Sequence, residues 1–296
     1  MLELKEKEVS VREYYFIDMQ EDIGNLIEYN NNGQQILEIF NGQCDDNKLD
    51  ILKYCCSTKS IDIFKLLLAE SGINILMDDN VFLKIAVCNR KYDIIKYLLE
   101  NGADPSVSNN YCAKVIVTMG VNEIFKLLVK FGIDIRAQDD ILLRLAATYQ
   151  KLSIAKILLE LGANIHADND YALRVAANHE EWALISLLID HCANVHADND
   201  YALRTSIKNG DSYSIKLLLQ AGADINAIRK EDLENAIKSQ SYEAVELLVE
   251  HGADFTILNG STSNTNVSKI TQLLSSKGVE ITAIASLVSE HDESIY

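Results

Sequence analysis

Asp168-Asn169-Asp170 and Asp198-Asn199-Asp200 stand thirty residues apart, and each follows a histidine, His166 and His196. Carboxylates so clustered could open a calcium loop, but such a loop needs glycine at its sixth position and glutamate at its twelfth. Leu173 and His179 stand there instead. The two imidazoles share a column, yet packed helices stacked about 10 Å apart would hold them too far apart for ligand bonds of about 2 Å. Both read as loop histidines. The six cysteines form no C-x-x-C pair and have no histidine at zinc spacing, so they read as reduced intracellular thiols, with Cys55 and Cys56 as small core filler. No G-x-G-x-x-G, P-loop, G-x-S-x-G or H-E-x-x-H pattern occurs. The expectation is a protein that is not an enzyme, with no metal and no cofactor.

A second set of residues suits recognition. Arg144, Arg174 and Arg204 follow Lys84 and Lys114 in one column, each four residues after an acidic or amide side chain. Two readings are open: an Arg–Asp ladder between successive units, or contact with a partner. Tyr171 and Tyr201 flank the arginines, and tyrosine beside arginine is what interface hot spots favour. The candidate partner-binding residues are Tyr171, Arg174, Tyr201, Arg204, Arg144, Tyr149 and His179. A third column, Lys65, Lys96, Lys126, Lys156 and Lys216, reads as solvent-facing, and Trp182, the sole tryptophan, as core-edge packing.

The elements that must carry these residues repeat with a period of thirty. Leu83, Ala113, Leu143, Leu173, Leu203 and Leu233 form one column, and Ala86, Ile116, Ala146, Ala176, Ser206 and Ala236 follow three residues later. That spacing puts both on one face of a short helix. A second apolar segment, Ile154-Ala155-x-Ile157-Leu158-Leu159 in one copy, describes a second helix, which ends at Gly72, Gly102, Gly132, Gly162, Gly222 or Gly252. Cys192 interrupts the glycines in a position expected to be left-handed. Asn80, Asn110, Asp140, Asp170 and Asp200 precede the first helices and are expected as N-caps, with Lys230 departing from that column.

Helix, tight turn, helix, then Gly162-Ala-Asn-Ile-His-Ala, Gly222-Ala-Asp-Ile-Asn-Ala, Gly102-Ala-Asp and Gly252-Ala-Asp resembles the ankyrin repeat over roughly residues 45 to 255. The resemblance implies an all-α, ankyrin-type solenoid of stacked helix-turn-helix repeats with short connecting fingers. The unit is three residues shorter than the family's usual 33 and reads Tyr-Ala-Leu-Arg where Thr-Pro-Leu-His is usual. In that it is similar to the short-unit ankyrin proteins of giant amoeba-infecting DNA viruses.

By register, an N-terminal helical cap spans 1–44, and seven repeats run over 45–75, 76–105, 106–135, 136–165, 166–195, 196–225 and 226–255. A degenerate C-terminal cap repeat comes next over 256–290 and a disordered tail over 291–296. One elongated domain is expected, because a repeat array grows in one dimension. A formal net charge of -17 would repel nucleic acid phosphates and anionic membranes. Neither a signal peptide nor a run of about 18 apolar residues occurs, so a cytoplasmic protein is expected. The reading is a non-catalytic protein–protein interaction scaffold or adaptor, and the resemblance implies a viral one acting on an intracellular host protein. It is expected to be a monomer with a protein partner, no nucleic acid and no membrane. The alternative is a structural or assembly component packing with itself or other viral proteins, which would need an exposed apolar face outside the core columns.

Overall fold

The computed structural model describes residues 33–57, 60–258 and 269–279, and every regular element among them is helical. The chain divides into two compact units, residues 1–134 and 135–296. The expected cap helix around Ile23–Ile27, the polar stretch 259–266 and the tail from His291 lie outside the described residues.

In the first unit the helices are α1 (Gly33–Asn41), α2 (Asp45–Cys55), α3 (Ile61–Ser71), α4 (Met77–Cys88), α5 (Tyr92–Glu100), α6 (Val107–Met119) and α7 (Asn122–Lys130). Phenylalanines fill its core. Phe40, Phe64, Phe82 and Phe125 are all buried, and Phe64 meets Phe82 edge-on at 6.0 Å and Tyr97 at 6.2 Å. Cys55 and Cys56 are buried among them, as core filler should be.

The second unit holds α8 (Ala137–Thr148), α9 (Leu152–Glu160), α10 (Ala167–Asn178), α11 (Trp182–Asp190), α12 (Ala197–Asn209), α13 (Ser212–Gln220), α14 (Lys230–Lys238), α15 (Tyr242–Glu250) and α16 (Lys269–Ser276). Its core is aliphatic. The first helices α8 and α10 each bury a Leu and an Ala pair, as with Leu173, Ala176 and Ala177 in α10, where α12 has Ser206 and Ile207 and α14 has Ala236 and Ile237. Small residues there let α10 pack closely between α8 and α12. The second helix buries a broader stripe, Ile154, Ala155, Leu158 and Leu159 in α9. The lysine column Lys65, Lys96, Lys126, Lys156 and Lys216 is exposed, as expected.

From α4 onward two left-handed turns make each helix pair. Between first and second helix the chain passes through Glu180 at φ 57°, closed by Glu181 N–H donating to the Ala176 carbonyl at 3.1 Å. After the second helix it passes through Gly162 at φ 85°, closed by Ala163 N–H donating to the Leu158 carbonyl at 3.0 Å. Cys192 takes the glycine's place at φ 67°, the conformation its column requires.

The N-cap expectation is corrected. Residues 168–170 form a single left-handed turn at φ 52–54°, and 78–80, 108–110, 138–140 and 198–200 repeat it. A capping residue is extended and reaches forward to its own helix. Asp170 instead is buried and reaches past both helices of its unit to the finger that ends it: its Oδ1 accepts from Asn194 N–H at 2.8 Å. Asp140 accepts likewise from Asn164 N–H and Asp200 from Asp224 N–H, each at 2.8 Å. In the first unit Asn110 Nδ2 donates to the Asp134 carbonyl at 2.8 Å. The column staples each turn to the next finger. Where Lys230 replaces it, the left-handed turn is gone, and Arg229 N–H donates to Asp232 Oδ2 at 2.9 Å in a local cap.

Candidate functional site

The left-handed turn leaves its own carbonyls unused by the adjoining helix, and the arginine column takes them. Arg174 donates from Nε to the Asn169 carbonyl at 3.0 Å and from Nη2 to the Asp168 carbonyl at 2.9 Å. Arg144 does the same to Asp139 at 3.1 Å and Gln138 at 3.0 Å, and Arg204 to Asn199 at 3.0 Å and Asp198 at 3.2 Å. Each fork therefore ties its helix to the turn five and six residues back, which a lysine cannot do with one ammonium.

The outer edge of the guanidinium faces the next unit. Arg144 Nη1 lies 3.3 Å from Asp168 Oδ2, and Arg174 Nη1 lies 3.8 Å from Asp198 Oδ2. Rings interleave with these forks: Arg144 and Arg174 each sit 5.8 Å from the Tyr171 centroid, and Arg174 sits 5.9 Å from that of Tyr201. Tyr171 Oη lies 3.4 Å from Thr148 Oγ1, and Tyr201 donates to Asn178 Oδ1 at 3.3 Å. The result is a strip on the open face of α8, α10 and α12 in which ring and cation alternate.

The strip runs out at Arg204. The position that holds Asp168 and Asp198 in the preceding units is Ile228 in the next, and the tyrosine position is Glu231. Beyond its two turn carbonyls, Arg204 has neither a carboxylate within ion-pair distance nor a ring against it among the described residues. Of the sequence-predicted set, the structure brings Arg144, Tyr171, Arg174 and Tyr201 together, with Arg204 as the end of the row. Tyr149 and His179 are exposed at the other end of the same helices, at the helix–helix turn.

The histidines do not converge on one another. His166 Nδ1 lies 3.1 Å from Asp170 Oδ1, and His196 Nδ1 lies 3.1 Å from Asp200 Oδ1, each within its own unit. Among the described residues no group of three or more His, Cys, Asp or Glu is placed to hold a metal ion. No helix among them is long and apolar enough to cross a membrane.

The core-edge reading of Trp182 is corrected. Its side chain is 56% exposed and meets the ring of Tyr213, itself 72% exposed, at 6.3 Å between centroids. Tyr149 and Leu152 are exposed on the same edge one unit earlier, and Leu161 is exposed at the end of α9. An exposed apolar edge therefore exists, which column reading did not find. The signal was available at Tyr213, whose column otherwise reads Asp93, Glu123, Ser153, Ala183 and Glu243.

A family profile described as "Ankyrin repeats (3 copies)" matches residues 25–109, 83–169 and 143–229. The solved ankyrin repeat domain of human ASB11 is similar at 20% identity with a TM-score of 0.57, over 69% of this chain and 98% of that one. The ankyrin repeat domain of Bcl-3, described as a unique member of the IkappaB protein family, aligns at 24% identity with a TM-score of 0.49, over 58% of this chain and 86% of that one. No curated protein matches the sequence.

Proposed function

The chain belongs to the ankyrin repeat family, whose repeats generally mediate protein–protein interaction, and on that premise we propose that it is a non-catalytic scaffold holding a partner protein on the open face of α8, α10 and α12. The end of the arginine row carries this reading. Arg144 and Arg174 spend their outer N–H groups on Asp168 and Asp198, whereas Arg204 has two carbonyls behind it and no carboxylate in front among the described residues. A guanidinium fixed from behind loses little side-chain freedom on meeting an acidic group of a partner. The rings of Tyr171 and Tyr201, further along the same strip against Arg144 and Arg174, are held by neighbours and offer contact area at similarly small entropic cost.

The partner is an intracellular host protein and the chain a viral adaptor in this proposal, supported by the thirty-residue unit and the Asp-Asn-Asp-Tyr-Ala-Leu-Arg motif that it shares with short-unit viral ankyrin proteins. Seven repeats over 45–255 between two caps, acting as a monomer in the cytoplasm, complete it. The test is capture by the full chain followed by cross-linking from Lys208, one helical turn beyond Arg204 on the same face. Arg204→Glu is expected to abolish capture while lowering Tm less than Arg174→Glu, which also breaks the contacts to Asp198 and both rings. Capture that survives Arg204→Glu would show that this face is not used. A second reading, self-assembly, is favoured by the exposed Leu152, Leu161, Trp182 and Tyr213. Sedimentation at high concentration decides it: a clean monomer removes this reading.

A further inference from the structure

Trp182 opens α11 and Tyr213 lies in the first turn of α13, so both stand at the helix–helix turns, away from the Tyr–Arg strip. Their rings are 6.3 Å apart and tilted by 35°, and both stay more than half exposed. Neither ring fills a core position, since α11 buries Leu184, Ile185 and Leu188 and α13 buries Ile215, Leu218 and Leu219 without them. Aromatic area left in water on two adjacent turns has no role in holding the fold.

The surroundings indicate what such a pair would take. Turn segments 180–183, 210–213 and 240–243 carry four carboxylates, Glu180, Glu181, Asp211 and Glu243, and no cation. Asp211 is partly engaged, accepting from Ser214 N–H and Oγ–H, while Glu180 is exposed. The nearest cations, Lys208 and Lys238, stand in the last turns of the helices that precede these segments, with Lys151 one unit earlier and Lys216 one turn along α13. An indole face is the best ring for a cation, and carboxylates around it draw cations in and repel anions. A second copy of this chain is a poor occupant, since it carries a net charge of -17.

We propose that Trp182 and Tyr213 form a second docking point, separate from the Arg204 face, that receives an arginine-bearing basic segment of a partner protein. The guanidinium would stack on the indole, with Tyr213 as the second wall and Glu180 and Glu181 as its counter-charges. The surface needs no opening, and it lies on turns rather than on the open helix face, so both docking points can be filled at once.

Trp182 is the chain's single tryptophan, so its fluorescence reports on this site alone. The full chain is titrated with a short peptide carrying three arginines and, separately, with the same peptide carrying citrulline, which keeps the planar shape and loses the charge. A saturable change in emission with the arginine peptide is expected, at least ten-fold weaker with citrulline. Tyr213→Ala keeps the reporter and removes an exposed ring, so the fold is undisturbed; it should weaken binding roughly five-fold. Glu180→Gln with Glu181→Gln should weaken it further and flatten its dependence on salt. Affinity unchanged by Tyr213→Ala would mean that the acidic chain merely attracts polycations, and the proposal would fail. It would fail equally if emission shifted with protein concentration alone and sedimentation showed a dimer lost on Trp182→Ala, because the edge would then be a self-contact. Arg204→Glu should leave this titration unchanged, which separates the two docking points.

Discussion

Ser206 stands fully buried in a column whose other members include Ala86, Ala146, Ala176 and Ala236, and its Oγ has no hydrogen-bond partner among the described residues. Burying an unsatisfied hydroxyl costs more than burying the methyl that could replace it. Ser206→Ala is therefore expected to stabilise the fold by about 1 kcal/mol, read as a rise in Tm of a few degrees. An unchanged or lower Tm would mean that the hydroxyl is satisfied. Cys192 is a second single-residue site. Its column was legible because the aligned repeats on either side of it end in glycine, and the structure puts it at φ 67° and exposed. Cys192→Gly removes left-handed strain of about 1 kcal/mol and should raise Tm accordingly. The remaining thiols sort by burial. Cys55 and Cys112 are pushed up to about 12, and Cys56 well above its usual range, all by desolvation. A raised thiol pKa keeps the group protonated at about pH 8, where only thiolate reacts. A thiol reagent at that pH should label the exposed Cys44 and Cys192 fast and leave Cys55, Cys56 and Cys112 until the chain is unfolded. Fast modification of Cys112 in the native protein would contradict its placement.

At the scale of elements, the helices were legible and the fingers were not. Leu173 with Ala176, and Ile154 with Leu158, announce their helices through spacing alone, because an apolar stripe is a property of one element. Asp170 was misread because capping and stapling select the same short acidic side chain, and they differ only in backbone handedness and in which amide is reached. That amide, on Asn194, stands at the far end of the unit beyond both helices, so no local pattern could show it. The same holds for the arginines: their column was visible, but the carbonyls they take exist only because residues 168–170 turn left-handed. Trp182 reads as core edge from its column, although its solvent exposure is set by the turn that precedes it. The staple makes an expected outcome that a cap would not give. Asp170→Ala should cost about 2 kcal/mol and raise the exchange rate of the Asn194 amide, in the finger that ends the unit, before that of the α10 amides. Acceleration confined to the first turn of α10 would restore the capping role.

For the molecule as a whole, stability in such an array is close to a sum of unit terms and neighbour terms, so a weak unit opens without unfolding the rest. Within residues 135–258 the unit at 196–225 is that weak point. It buries Ser206 and Ser214 where the unit before it buries Ala176 and Leu184, and its Ser206 hydroxyl is unpaired. Its link backward is intact, through Arg174 to Asp198. Its link forward is thinner: the Asp200 staple to the Asp224 amide stays inside the unit, Arg204 finds Ile228 where an aspartate would continue the ladder, and Lys230 ends the staple column. Hydrogen exchange on the native chain should therefore show amides of α12 and α13 exchanging faster than those of α10 and α11, and Ser206→Ala should narrow the gap. Equal protection across these four helices would mean that neighbour terms outweigh the buried hydroxyls. A partner bound at Arg204 contacts the unit least tied to its successor, so binding should slow exchange there more than anywhere else in the chain. Protection rising instead in α8 and α9 would move the partner away from the open end of the arginine row.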